Sequence, residues 1–439
     1  MKHTEYDVVG IGFGPSNIAL AIALLEHGEG NSDPVTAAFL ERKQSFGWHQ
    51  NMLLPSAKMQ VSFLKDLATF RNPATRFGFV SYLHAKGRLP MFVNRKDFFP
   101  TRREFHDYLE WAAAKLSGMV AYGSEVVEVT PASGGDAEWP VRSLRVKVRT
   151  AEGFDFVECS NIVVSTGLEP RLPDGVVRGS RIWHSSEFLE RFRECGELSH
   201  VAVVGAGQSG AEIVRFLYDA LPEARISAIL PAYGYSIADN TPFANEVYDP
   251  VAVDDYYFGS ADSKSLFWRY HKNTNYSVVD SDVADSLYQR KYDDEVSGVN
   301  RLSFVTLTRI TEARDSGGGV HLGLRSVRTG SDYDMNVDTL VCATGYGPMN
   351  PGRLLHRLDP YLLRDDDGRY RIDRDYRIVT APELQCGIYL QGGTEHTHGL
   401  SSSLLSSIAV RGGEITESIV KARRRRGEYS DPEPAEARP

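Results

Sequence analysis

Two glycine-spaced turns are the residues of this chain best suited to chemistry on a nucleotide. The first is Gly10, Gly12 and Gly14 in YDVVGIGFGPSN, running into Pro15 and Ser16. The second is Gly205, Gly207 and Gly210 in VAVVGAGQSGAEIV. Each follows a short apolar strand and opens a helical pattern. In that setting the first glycine permits the turn and the second admits a pyrophosphate. The orphan N–H groups at the helix start supply donors and a positive dipole end. The second turn has the full G-x-G-x-x-G spacing. The first departs from it at Pro15, which a helix start tolerates because its missing N–H would have had no partner there. Glu41 follows the apolar strand Val35 to Leu40, where a carboxylate can take ribose hydroxyls. Its distance from Gly14 exceeds the usual ~20 residues, and the polar loop Glu29 to Pro34 absorbs the excess. The matching strand of the second unit, Arg225 to Leu230, ends in Pro231-Ala232-Tyr233. It has neither the acid nor the arginine that sorts NAD from NADP. Two more apolar strands, Asn161 to Gly167 and Thr339 to Pro348, each contain Thr-Gly, as Thr344-Gly345 in the second. Such strand ends are where a chain passes a bound dinucleotide.

These turns need a parallel scaffold. The pattern predicts strands at Asp7 to Gly10, Glu125 to Thr130, Leu144 to Thr150 and Phe154 to Glu158. It predicts helices at Ala19 to Leu25, Phe77 to His84 and Thr101 to Leu116. Thr101 and Glu104 form a capping box, and Phe105, Tyr108, Leu109 and Ala112 share one face. Arg102 and Arg103 fall in the first helical turn, where the dipole disfavours cations. A nearby anion or plain solvation would each account for them. Pro131 to Pro140 reads as a hairpin-type linker. Residues 44–66 are rich in aromatic, amide and sulfur side chains without a clean period, as in a stretch that packs on a cofactor or builds a site. Ser236 to Val299 is aromatic and acidic, without paired carboxylates that would single out an acid or a base. Its informative residues are Asn245 and Asn275, although asparagine is commonly a cap or turn residue. Residues 388–413 give a final strand, a Gly/His/Thr loop and a helix, and residues 302–330 give strands. His396 and His398 lack the companions a metal site needs. The tail from Lys421 is polar and reads as disordered.

Bulk properties narrow the class. A chain of 439 residues accommodates two or three domains. No apolar run reaches the ~18 residues needed to span a bilayer, and a net charge of −9 argues against a nucleic-acid partner. Cys159, Cys195, Cys342 and Cys386 form no C-x-x-C pair. That argues for free thiols in a reducing cytoplasm and against a disulfide reductase. The start of the chain enters a strand without a signal-peptide pattern.

The longer motifs carry a resemblance. GFGPSN (12–17), W-H-x-x-M-x-x-P (48–55), KMQVSFLKDLATFRNP (58–73), FVSYLH (79–84), GAGQSGAE (205–212), TPFANE (241–246), NTNYSVV (273–279), ATGY (343–346) and THGLSSSLLS (397–406) are similar to motifs of the N-hydroxylating flavin monooxygenases. This family includes the ornithine N5- and lysine N6-hydroxylases of siderophore pathways. The resemblance runs from about residue 5 to 418. It implies an α/β fold of two Rossmann-like dinucleotide-binding domains, one for FAD and one for NAD(P), with a small, mostly helical substrate-binding segment. The implied division is 1–198 and 333–420 for FAD, 199–237 and 298–332 for NAD(P)H, 238–297 for substrate and 421–439 as tail.

The chemistry so implied is reduction of FAD by NADPH, capture of O2 as a flavin C4a-hydroperoxide, and attack on it by a neutral side-chain amine. Holding an amine of pKa ~10.4 neutral near pH 7 costs roughly 4–5 kcal/mol, which an apolar aromatic cavity would favour by desolvation. By motif, Lys65 resembles the cation that meets a substrate carboxylate. Asn245 and Asn275 resemble the amides that fix the amino-acid head group, with Ser403 and Leu404 beside them. Gln60 and Gln208 resemble amides near the flavin and nicotinamide, and Ser209 a nicotinamide-side contact. Trp48, His49 and Met59 resemble flavin-side contacts. Arg102 resembles an arginine that helps hold NADP. Pro231 stands where many relatives have an arginine for the 2′-phosphate, so NADH is the alternative to NADPH. Lys65 and the RNP at 71–73 point to L-ornithine ahead of L-lysine or a diamine such as putrescine or cadaverine. The resemblance further implies a homo-oligomer, a dimer or tetramer, with no membrane or nucleic-acid partner. A Baeyer–Villiger monooxygenase would need F-x-G-x-x-x-H, which RGSRIWHSSEF (178–188) does not supply. A non-catalytic flavoprotein would have little use for Lys65, Asn245 and Asn275 together.

Overall fold

Val8 and Val9 point to opposite faces of the first strand and both are fully buried, as a strand central to a layered parallel sheet requires. The computed structural model describes residues 5–132, 140–425 and 427. The chain begins with β1 (Glu5–Ile11), α1 (Pro15–Gly28) and β2 (Ala37–Glu41). After an irregular stretch come α2 (Phe79–Ala85), α3 (Leu89–Asn94) and α4 (Arg102–Lys115), then β3 (Val120–Tyr122), β4 (Glu125–Pro131), β5 (Leu144–Thr150) and β6 (Gly153–Val164). β6 is one strand where two were expected, Phe154 to Glu158 and Asn161 to Gly167. Its first half pairs antiparallel with β5 and its second half parallel with β1, so it joins two kinds of sheet without a break. The linker 133–139 lies outside the described residues.

A second unit follows. It contains β7 (Glu169–Pro170), β8 (Ile182–His184), α5 (Phe188–Glu194), β9 (His200–Val204), α6 (Gln208–Ala220) and β10 (Arg225–Ile229). A helical excursion holds α7 (Pro242–Asn245), α8 (Pro250–Phe258), α9 (Ala261–His271) and α10 (Ser281–Val296). The chain returns through β11 (Leu302–Val305), β12 (Thr308–Asp315), β13 (Val320–Ser326), β14 (Asp332–Val337), β15 (Thr339–Cys342) and β16 (Tyr346–Gly347). It closes with α11 (Gly352–Leu355), β17 (Gly387–Leu390), α12 (Glu395–His398) and α13 (Ile408–Arg425).

The first sheet has the order β3-β2-β1-β6-β5-β4, with β17 also on β6; the second runs β11-β10-β9-β15-β8. This moves the expected boundaries. β8 and β15 are strands of the second sheet, pairing parallel with each other and β15 with β9, so the second unit takes in more than 199–237 and 298–332. α10 also leaves the expected substrate segment. Its Val283 and Leu287 are buried in the second core, where α10 packs on α6 and β11. The other face of that sheet is covered by the antiparallel β12-β13-β14.

In the first unit α1, α4 and α13 cover one face around Val8, Ile18, Phe105 and Ile415. α1 and α13 approach closely because Gly412 has no side chain: a Cβ there would lie 3.1 Å from the backbone of Ala19 and Leu20. The tail expectation is corrected in part. α13 continues to Arg425, with Ile419 and Val420 buried and Arg423 held 2.8 Å from Asp33 and 3.3 Å from Asp7. Residue 426 and residues 428–439 lie outside the description. The capping box is half formed: Thr101 accepts from the N–H of Glu104 at 3.1 Å, while the Glu104 carboxylate turns to Arg88 and Arg95.

Candidate active site

The turn of the first cradle is made by Gly12, not by Gly10. Gly12 carries φ +87°, and a Cβ on it would sit 2.5 Å from the carbonyl of Ser165. Gly10 lies within β1, against the Phe39 ring. The buried Asn17 amide pins the turn by donating to Gly12 O at 2.7 Å. Gly14 then caps α1 with extended backbone, and Pro15 takes the first helical position. No side chain caps α1 there, and a Cβ on Gly14 would meet nothing within 4 Å. The second cradle repeats this: Gly207 caps α6 without a side-chain hydrogen bond, and its nearest neighbour would be Ser277 Cα at 3.9 Å. Both helix starts therefore present free N–H groups to open space, as a dinucleotide pyrophosphate requires. Glu41 ends β2 beside the first cradle, its oxygens accepting from Phe13 N at 2.8 Å and Lys43 N at 3.0 Å. Carboxylate lone pairs remain for a ribose. A dinucleotide thus fits both cradles.

The two Thr-Gly turns lie together. Gly167 and Gly345 have φ of +80° and +78°, and β7 pairs antiparallel with β16 just beyond them. Thr344 donates its hydroxyl to Arg171 O. Gly345 O accepts from Arg171 N and from the His184 ring, each at 3.0 Å. Tyr346 is 5.1 Å from the His184 ring and 6.4 Å from the His49 ring, which brings the junction to the 44–66 stretch.

Residues 44–66 form the wall between the units. Trp48 and His49 meet edge to face at 4.6 Å. His49 has φ +48°, and protein surrounds its ring enough to hold its pKa down to about 4, by burial first and then by Arg102 and Lys43. The residue nevertheless keeps an accessible surface. Met59 is buried in the first core. Gln60 donates to Asp280 Oδ1 at 3.0 Å. Gln208 accepts from Asp280 N at 2.8 Å and donates to Glu212 at 3.0 Å. Ser209 is the second residue of α6 and half-buried. Arg102 donates to Glu212 at 2.8 and 2.9 Å and to Met52 O at 2.8 Å. The anion that accounts for this first-turn arginine is therefore the carboxylate of Glu212. Burial raises the pKa of Asp280, against the hydrogen bond from Gln60.

The head-group candidates cluster across the wall. The Lys65 ammonium is 3.8 Å from Asp249 Oδ1, with the rings of Phe70 and Tyr248 at 5.9 and 5.7 Å. Burial lowers its pKa, and Asp249 opposes the shift. Asn245 donates to Asn240 O at 2.9 Å, which leaves its carbonyl oxygen free of that bond. Asn275 ends a 3-10 turn, Lys272–Thr274, with its amide half-buried. Tyr276 donates to Glu395, which also bonds Ser403. Burial raises the Glu395 pKa while both bonds lower it. Ser403 and Leu404 end the 3-10 segment after α12 and are half-buried. Ser277, at φ +59° opposite Gly207, is a further strained residue at this junction.

Glu212, Asp280, Tyr276 and Glu395 were not singled out from sequence, although all but Glu395 stand inside or beside quoted motifs. Glu212 follows Gln208 by one helical turn, a spacing that could have flagged it. No His/Cys/Asp/Glu group able to hold a metal occurs among the described residues, and none of the four cysteines forms a disulfide there.

Comparison with known proteins places this geometry. Residues 4–348 match the family model described as L-lysine 6-monooxygenase/L-ornithine 5-monooxygenase. An L-ornithine N(5)-monooxygenase of Pseudomonas aeruginosa is 38% identical over 94% of this chain and 93% of its own. The solved Kutzneria sp. 744 ornithine N-hydroxylase, in its FADred-NADP+-L-orn form, superimposes with a TM-score of 0.92 at 57% identity, covering 95% of this chain and 100% of that one. The L-lysine 6-monooxygenase of Pseudomonas syringae gives 0.81 at 30% identity, covering 95% and 99%.

Proposed function

The chain belongs to the L-lysine 6-monooxygenase/L-ornithine 5-monooxygenase family, and we propose that it hydroxylates the side-chain amine of L-ornithine at N5, using FAD, NADPH and O2. In this reading the first unit holds FAD at α1, with Glu41 toward its ribose. The second holds NADPH at α6, with Gln208 and Ser209 toward the nicotinamide side and Arg102 nearby. Bound flavin would activate O2 and pass one of its atoms to the amine; the protein binds, orients and excludes water.

The observation that carries the substrate reading is Lys65. Its side chain is only 17% exposed and its ammonium lies among aromatic rings, with one carboxylate at a loose 3.8 Å. A cation desolvated but incompletely paired favours a ligand that brings its own carboxylate. That selects an amino acid over a diamine. The relatives named ornithine hydroxylases support ornithine over lysine. Asn245, Asn275 and Ser403 then take the remaining head-group atoms, and Leu404 adds an apolar wall. Tyr248 and Tyr276 keep the site aromatic, which helps hold the reacting amine neutral.

The product is a hydroxylamine of the kind consumed in siderophore or related hydroxamate assembly. No helix among the described residues is long and apolar enough to cross a membrane; action in the cytoplasm is part of this reading. Exposed apolar residues on and after α3, Met91, Val93, Phe98 and Phe99, support a homo-oligomer, which light scattering would test.

The deciding experiment measures hydroxylamine formation with ornithine, lysine, putrescine and cadaverine, each with NADPH and NADH. Product from ornithine with NADPH is expected. Product from a diamine in preference to both amino acids would remove the role given to Lys65, and preference for lysine would correct the chain length alone.

A further inference from the structure

Arg411 is a buried cation with no carboxylate paired to it among the described residues. It is 1% exposed, in the first turns of α13, a position where the helix dipole adds to its cost. One terminal nitrogen donates to Ser402 O and the other to Ser16 Oγ at 3.2 Å, while Nε has no partner. The Tyr376 ring lies 5.7 Å away. Glu414, on the same helix, is engaged by Arg374 at 3.1 and 2.9 Å. Burying a charge in this way costs several kcal/mol unless a counter-charge arrives.

The position is built, not incidental. Gly412, the next residue, is what lets α13 approach the α1 backbone. Gln391, itself buried, donates to Ser16 O at 3.2 Å and Asn17 Oδ1 at 2.8 Å. Ser16 is the second residue of α1, two positions after the open Gly14 cap.

We propose that Arg411 is a positioning residue for the dinucleotide diphosphate at the start of α1, acting through Ser16. The guanidinium always donates, so Ser16 Oγ must accept from it. The Ser16 proton is then left to donate to a phosphate oxygen. The diphosphate in turn supplies the negative charge that the buried cation lacks. This inference rests on the first cradle being the FAD site.

The test titrates apo protein with FAD, following quenching of flavin fluorescence, and records thermal unfolding of apo and FAD-loaded forms. The variants are Arg411→Met, Arg411→Lys, Ser16→Ala and the Arg411→Met/Ser16→Ala double. Arg411→Met and Ser16→Ala are each expected to raise the FAD Kd at least tenfold, with the double raising it by clearly less than the product of the two and the Lys variant between; a fully multiplicative double would overturn action through Ser16. Apo Arg411→Met is expected to melt no lower than apo wild type, with a smaller rise on adding FAD. A fall in apo stability with an unchanged Kd would make Arg411 merely structural and overturn the inference. If Arg411→Met does not fold, Ser16→Ala decides: an unchanged Kd overturns it. Wild type that binds no FAD would overturn the cradle reading as well.

Discussion

Glu212 on α6 receives both terminal nitrogens of Arg102 on α4, at 2.8 and 2.9 Å. One comes from the second unit and the other from the first, so the pair fixes how the two cradles face each other. Glu212 is 2% exposed, and water screens the pair little. Removing one partner from a buried pair leaves the other charge stranded. Glu212→Gln and Arg102→Met are each expected to lower stability by about 3 kcal/mol, read from urea midpoints. The Arg102→Met/Glu212→Leu double variant should lose less than the sum of the singles. Strict additivity would show that the two side chains do not act as a pair.

Gly12 and Gly14 separate folding from cofactor binding. A side chain on Gly12 would be strained by its φ and meet the Ser165 carbonyl, so Gly12→Ala should impair soluble expression. A Cβ on Gly14 meets no protein atom. Gly14→Ala should therefore fold with a near-normal circular dichroism spectrum, yet bind FAD at least tenfold more weakly. Normal FAD affinity in Gly14→Ala would mean the diphosphate does not lie over the α1 cap.

Lys65→Met is expected to lower kcat/KM for L-ornithine by about 100-fold, the scale of a lost charge-assisted hydrogen bond. The change should fall mainly on KM. Activity on putrescine, which lacks a carboxylate, should change far less. Equal losses on both substrates would indicate a general defect at the site.

His398 gives a pH prediction. Its Nε2 is 3.1 Å from Arg374 O, and because a carbonyl can only accept, that nitrogen carries the proton. Nδ1 is paired with the Thr397 hydroxyl at 2.8 Å. Burial holds the folded pKa down to about 3, against ~6.5 for an unfolded histidine. The unfolded chain thus binds the extra proton first, and the stability this residue contributes above pH 6.5 is lost as pH falls from 6.5 toward 3. The slope is at most about 1.4 kcal/mol per pH unit. In acid-titrated urea unfolding, His398→Gln should show a shallower decline over that window; an identical slope would rule out His398 as its source.

Much of the scaffold was legible in the chain because it is written in local patterns. The glycine spacings, the apolar runs of β1, β2, β9 and β10, and the Thr101 cap each depend on neighbours a few residues away. The motifs KMQVSFLKDL, TPFANE and NTNYSVV likewise marked Lys65, Asn245 and Asn275 by type and order. What the sequence did not determine is everything set by contacts between distant segments. β8 and β15 belong to the second sheet because they pair with each other and β15 with β9, and no local pattern encodes that neighbour. Which glycine bends the first turn depends on the close approach of Ser165. The partner of Arg102 depends on α4 meeting α6, and the burial of Arg411 on Gly412 admitting α13 against α1. Burial, pairing and electrostatic compensation are properties of segments brought together across the chain, so the tertiary structure alone decided them.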